Sequence, residues 1–212
     1  CRGLADGMQL RTRTHATLAL LVFVFAASLA HEATAQLHAV PVTDAAKVYE
    51  LDGYRVQPPP GRNWFELRRD RQQALFGKKI TSPTHSFVAT ATSGLVGEKF
   101  STREQFLEYV NKLRTADIDA KRFRIIEVET RFDDSFAAWC VRYRLKRADR
   151  DAVLSRNRTL ILEDFGVACL HPDNRELVVD VGYSERGRAA ELDAELRAEG
   201  ERFMRGLVFI RQ

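Results

Sequence analysis

The chain has 212 residues, 45% apolar and 29% charged, a composition that fits one globular domain better than two. Its formal net charge is only +4, from 33 basic and 29 acidic residues that are interspersed along the chain. With no basic stripe and no interleaved stacking aromatics, nucleic acid is removed from the expected partners.

The first 35 residues read as targeting information. Met8 is the natural start, Arg11, Arg13 and His15 form a basic stretch, and Leu18 to Ala30 is an uninterrupted run of 13 apolar or small residues. That length matches a secretory signal and falls short of the roughly 20 residues a membrane-crossing helix needs. Ala33-Thr34-Ala35 supplies the small-residue cleavage motif, with Gln36 as the mature N-terminus; Ser28-Leu29-Ala30 is the weaker alternative. The expectation is a periplasmic or secreted protein with a Sec-type signal cleaved after Ala35, the alternative being a retained anchor. No cysteine follows the apolar run, so no lipoprotein anchor is expected, and membrane contact is at most peripheral. Removing Arg2, Arg11, Arg13, Asp6 and Glu32 with the signal leaves a net charge of +3.

Residues 36–46 read as a mobile leader and 47–212 as a single domain. Val48 to Val56 patterns as the first strand, and Gln57 to Gly61 stops it with three prolines and a glycine. Further strands are expected at Trp64 to Leu67, Ala74 to Ile80 and His85 to Thr92. Ser101-Thr102-Arg103-Glu104 has the spacing of a capping box, predicting a helix with Phe106, Val110 and Leu113 on its apolar stripe, ending near 114–116. Phe123 to Thr130 and Phe136 to Lys146 form a predicted hairpin through Asp133-Asp134-Ser135. In its second strand Cys140, Arg142, Arg144 and Lys146 share one face, which the alternation assigns to water.

Strands at Thr159 to Leu170 and Leu177 to Ser184 follow, and then a helix whose stripe of Ala189, Leu192, Leu196, Phe203 and Leu207 is interrupted at Gly200. Strands, a helix, more strands and a closing helix predict an α+β fold with an antiparallel sheet and helices packed on it.

Once the signal is removed, Cys140 and Cys169 are the two remaining cysteines. An even count in an oxidising compartment predicts one disulfide, closing a loop of about 30 residues; two free buried thiols are the alternative. If the strands holding them run antiparallel, the two lie within a few residues of facing each other.

Gly53 to Trp64, GYRVQPPPGRNW, resembles the start of exported PsbP-like domains, where a strand runs into a Pro-Gly turn and then a tryptophan. Cys169 to Pro172 and Val179 to Gly187 are similar to a pattern in uncharacterised bacterial exported proteins. The resemblance implies an α/β/α sandwich and an envelope location. It carries over no ligand, metal or catalytic residue.

The candidate sites each have a plainer reading. Ser184 and Arg186 could form an anion-binding turn at the start of the last helix, or Ser184 could simply cap that helix. Arg142, Arg144 and Lys146 could present a basic strip to an acidic partner or to lipid headgroups, or only keep a strand soluble. His171, close to Cys169 and Asp173, is the natural centre of a cell-envelope hydrolase that would use it with Asp173 or Glu185, but no G-x-S-x-G elbow accompanies it. His38, His85 and His171 show no metal-ligand spacing, and no C-x-x-C exists, so no metal, cofactor or catalytic residue is assigned. The leading expectation is a non-enzymatic periplasmic binding or accessory module whose partner is an envelope protein or a small ligand.

Overall fold

The computed structural model describes residues 39–116, 118–152 and 159–211. The expected signal, its cleavage site and the histidine at 38 lie outside them.

The strand patterns between Trp64 and Ser184 assemble into one antiparallel sheet. In chain order the elements are β1 (Val40–Pro41), β2 (Tyr49–Leu51), β3 (Tyr54–Val56), β4 (Trp64–Arg69), β5 (Gln73–Lys78), β6 (Ser86–Leu95), α1 (Arg103–Thr115), β7 (Phe123–Phe132), β8 (Trp139–Asp149), β9 (Leu160–Leu170), β10 (Leu177–Gly187), a 3-10 turn (Ala189–Glu191), α2 (Ala194–Arg205) and β11 (Val208–Phe209). The large sheet has the order β1-β4-β5-β6-β10-β9-β8-β7, and β11-β3-β2 form a second, three-stranded sheet.

This corrects the expected fold class. The protein is not an α/β/α sandwich with helices flanking a sheet: β structure dominates, and the described residues hold only two α-helices. The segment that patterns as one strand, Val48 to Val56, instead turns back at Asp52-Gly53, where Gly53 takes φ +86°. Asp-Gly between alternating apolar residues is a hairpin signal. The tail of the expected last helix supplies β11, which pairs with β3. The resulting small sheet, with α2, covers one face of the large sheet in place of a helical layer, while α1 packs on β8 and β7 from the other side.

Two apolar clusters follow from this layering. The larger joins Tyr49, Tyr54 and Val56 of the small sheet to Trp64, Phe76 and Phe87 of the large one and to Phe203 and Met204 of α2. The smaller sets Phe106 and Val110 of α1 against Val141, Ala168 and Leu170. Gly200 does not break α2. A Cβ there would collide with the Tyr183 ring, so the glycine lets the helix lie against β10.

Other boundaries also move. Part of the expected mobile leader is paired, Val40 with Glu66 and Pro41 with Phe65. Proline is tolerated there because β1 is an edge strand. The α1 cap shifts by one residue from the predicted box: Thr102 Oγ1 accepts from Gln105 N at 3.3 Å, and Ser101 N donates to Gln105 Oε1 at 2.8 Å. Gln105 therefore does the work expected of Glu104. The last helix begins at the Asp193 cap, whose side chain accepts from Glu195 N.

Candidate functional site

A cavity of about 640 Å³ opens on the face of the large sheet that carries α1. Gly182 on β10 lines its floor and stands opposite Gly166 on β9, which the Tyr143 side chain covers. Tyr143 on β8 is opposite Gly166 in turn, and its side chain lies across the gap that the missing side chains leave. A Cβ at Gly166 would overlap the Tyr143 ring and hydroxyl, and one at Gly182 would come within 3.1 Å of that hydroxyl. Laid flat in this way, the phenol reaches the next row of the sheet and donates to Asp180 Oδ1 at 2.8 Å.

Arg114, in the last turn of α1, closes the arrangement from above. It donates to Asp180 Oδ2 and sits 4.1 Å from the centre of the Tyr143 ring, a cation–π contact. A second pair, Arg147 with Asp164, lies on the same face, with Arg147 also 5.0 Å from the centre of the Phe123 ring. Thr90 and Thr92 of β6 and Ser184 of β10 add hydroxyls, while Leu113, Phe123 and Leu145 add apolar wall.

The electrostatics of the cavity are those of ion pairs taken partly out of water. Burial pushes the carboxyls of Asp180 and Asp164 above the usual carboxylate range, against the pull of Arg114 and Arg147. Burial also raises the Tyr143 phenol, and the Asp180 charge adds to the effect. At both guanidinium groups the Nε–H is buried and has no hydrogen-bond partner. A polar, closed arrangement of this kind can accept and donate hydrogen bonds to a small molecule without any group having to be charged anew.

The sequence-predicted sites fall as follows. Cys140 and Cys169 face each other across β8 and β9 and are joined by a disulfide, S–S 2.08 Å. Ser184 and Arg186 are not at a helix start. Both lie within β10, on the cavity face, and the helix cap is nine residues beyond Ser184 at Asp193. Ser184 lines the cavity; Arg186 points to Asp149, Nη1 to Oδ2 at 3.6 Å.

Arg142, Arg144 and Lys146 do share a face, but it is the face on which α2 packs, and each is half-buried and paired. Arg142 bonds Asp133 and Glu201, both at 2.9 Å. Lys146 pairs with Glu163 at 2.9 Å, and Arg144 with Glu127 at 3.3 Å and Glu163 at 3.6 Å. The expected water-facing basic row is thus neutralised by acids that β7, β9 and α2 bring to it.

His171 is fully buried and both ring nitrogens are used by the backbone. Nε2 lies 3.0 Å from Gly53 O and 3.1 Å from Ile210 O, and Nδ1 accepts from Asp173 N at 3.2 Å and Asn174 N at 3.0 Å. Two carbonyls on one side and two amides on the other fix a single neutral tautomer, with the proton on Nε2. The ring pins the β2–β3 turn and the C-terminal strand to the end of β9. Glu185, which the hydrolase reading would pair with His171, is bonded instead to His85, at 2.9 Å.

No known protein-family model matches this sequence. The curated proteins likewise contain no match. The functional reading therefore rests on the chemistry of the fold. Among the described residues no group of three His, Cys, Asp or Glu is placed to hold a metal ion, and no helix is long and apolar enough to cross a membrane.

Sequence reasoning missed Arg114, Tyr143, Asp164 and Asp180 as members of a site. One signal was available: the alternating set Val178, Asp180, Gly182 and Ser184 places an acid and a glycine in mid-strand, where a plain solvent face would carry long charged side chains.

Proposed function

We propose that this chain is an exported, non-enzymatic binding module that holds a small ligand in the cavity between α1 and strands β6 and β8 to β10. The observation that carries the reading is the glycine pair. Gly166 and Gly182 let Tyr143 lie flat across the middle of the sheet, and the cavity stands beside it, lined by Gly182, two ion pairs and three hydroxyls. Glycine in a strand interior costs stability, and a recessed floor next to polar side chains is a recurrent reason to keep it.

Export to the periplasm, with cleavage after Ala35, is the other half of the proposal. It is supported by the signal-like leader and by the Cys140–Cys169 disulfide, since such bonds persist in oxidising compartments.

The test uses protein recovered from its own envelope fraction. Mass spectrometry of the intact chain should find Gln36 at the N-terminus. Denaturation should release a small molecule from the wild type but not from Thr90→Phe, which fills the cavity from β6. Equal release from both proteins would place the ligand elsewhere, and a chain beginning upstream of Gln36 would contradict the cleavage.

A further inference from the structure

We infer that the ligand of this cavity is a neutral, polyhydroxylated molecule of one or two rings, a saccharide in chemical class; the inference rests on the cavity being a ligand site. The argument starts from charge. Two guanidinium groups and two carboxylates in the cavity are matched one to one, Arg114 with Asp180 and Arg147 with Asp164, while a third lining acid, Asp119, is exposed at the rim and accepts from Lys121 N. An anionic ligand would have to compete with Asp180 or Asp164 for its arginine, leaving a buried carboxylate without its partner. A cationic ligand would strand an arginine in the same way. Breaking a largely buried pair is strongly destabilising, so the site disfavours both.

A hydroxyl group meets neither difficulty. It donates to a carboxylate oxygen while accepting from an N–H, and so inserts beside an ion pair without dissolving it. The groups left over in the cavity are of the right kind. The hydroxyls of Thr90, Thr92 and Ser184 can each donate or accept.

The remaining wall is apolar, with Leu113, Phe123 and Leu145 set against the polar side. A sugar ring has this same division, hydroxyls around its rim and C–H groups on its faces. The volume of about 640 Å³ lies within the range of small-molecule sites and accommodates one or two rings.

The experiment is saturation-transfer NMR on the processed, disulfide-bonded chain. The probes are glucose, N-acetylglucosamine, cellobiose and N,N′-diacetylchitobiose, with citrate and spermidine as charged comparators. At least one neutral saccharide should receive saturation at its ring C–H protons. Ser184→Ala and Asp164→Asn should each weaken its binding about tenfold, the equivalent of roughly 1.4 kcal/mol. Thr90→Phe should abolish it. Amide spectra show whether each variant is folded, and Ser184→Ala keeps the test open should Asp164→Asn not fold. Binding of citrate or spermidine that Thr90→Phe blocks would overturn the saccharide class and leave the cavity as a ligand site. Saccharide binding that survives Thr90→Phe, or no binding by any saccharide, would overturn the inference. Whether a ligand of any kind leaves the protein with the cavity blocked is read separately, from the released small molecules.

Discussion

Glu163 and Glu185 stand directly opposite each other on β9 and β10, both buried, and Arg197 of α2 bridges them. Its Nη2 lies 2.8 Å from Glu163 Oε2 and its Nε donates to Glu185 Oε2 at 3.1 Å. Like charges facing each other across a sheet are destabilising. Here they become the reason that α2 docks where it does, and Glu185 also accepts from the backbone N–H of the helix cap, Asp193, at 2.7 Å.

Arg197→Met should therefore destabilise the protein by about 3 to 5 kcal/mol, because it leaves two facing buried carboxylates with less than their complement of charge. Adding Glu185→Gln to Arg197→Met should recover part of the loss. Urea unfolding of the four members of the double-mutant cycle measures the coupling. Additive effects of the two changes would show that Arg197 acts on α2 by some other route.

Gly166→Ala should cost about 1 to 3 kcal/mol, the usual range for overpacking a filled interior. The added methyl displaces Tyr143, so the Tyr143–Asp180 hydrogen bond should be lost along with the stability. A shift of the Tyr143 ring resonances in Gly166→Ala, with the Cys140–Cys169 bond intact, would be the local signature.

Cys140→Ala combined with Cys169→Ala should lower stability by about 3 to 4 kcal/mol, the chain-entropy value for a closed loop of this size; the two cysteines are 29 residues apart. Chemical denaturation of the double variant beside the oxidised wild type gives the difference directly. Because the two residues already face each other through β8–β9 pairing, the strands should remain paired without the bond.

Alkaline pH should unfold the protein through its buried phenols. Tyr49 donates to Glu66 Oε2 at 2.8 Å, and burial, with the neighbouring Glu66, pushes its pKa from 10.0 up to about 12. Burial raises Tyr54 and Tyr183 as well. A folded-state pKa above the unfolded one means that this stabilisation is complete below pH 10 and is lost as the pH climbs towards 12. The midpoint of urea unfolding should fall across that window, and fall less steeply in Tyr49→Phe.

Much of this is legible in the sequence, and the parts that are not share a cause. Strand alternation located β4, β5, β6, β9 and β10, because a period of two survives wherever one face is covered. The cysteine pair was legible because the two strands that carry them are neighbours in sequence. The small sheet was not: β3 pairs with β11 about 150 residues away, and nothing local in Leu207 to Ile210 distinguishes a helix tail from a strand. The solvent face assigned to Arg142, Arg144 and Lys146 failed for a similar reason. Alternation says which residues share a side, but not that α2 and the acids of β7 and β9 would come to lie on it. Arg114 and Asp180, 66 residues apart, are joined only by tertiary packing.

The claim on which the account turns is that the cavity beside Tyr143 and Gly182 is where the protein meets its ligand. Isotope-labelled protein titrated with the small-molecule fraction of an envelope extract tests it in one spectrum. The account predicts that the amides that move cluster on β6, β10 and the C-terminal half of α1. Movement confined to α2 and the small sheet, or none at all, would contradict it.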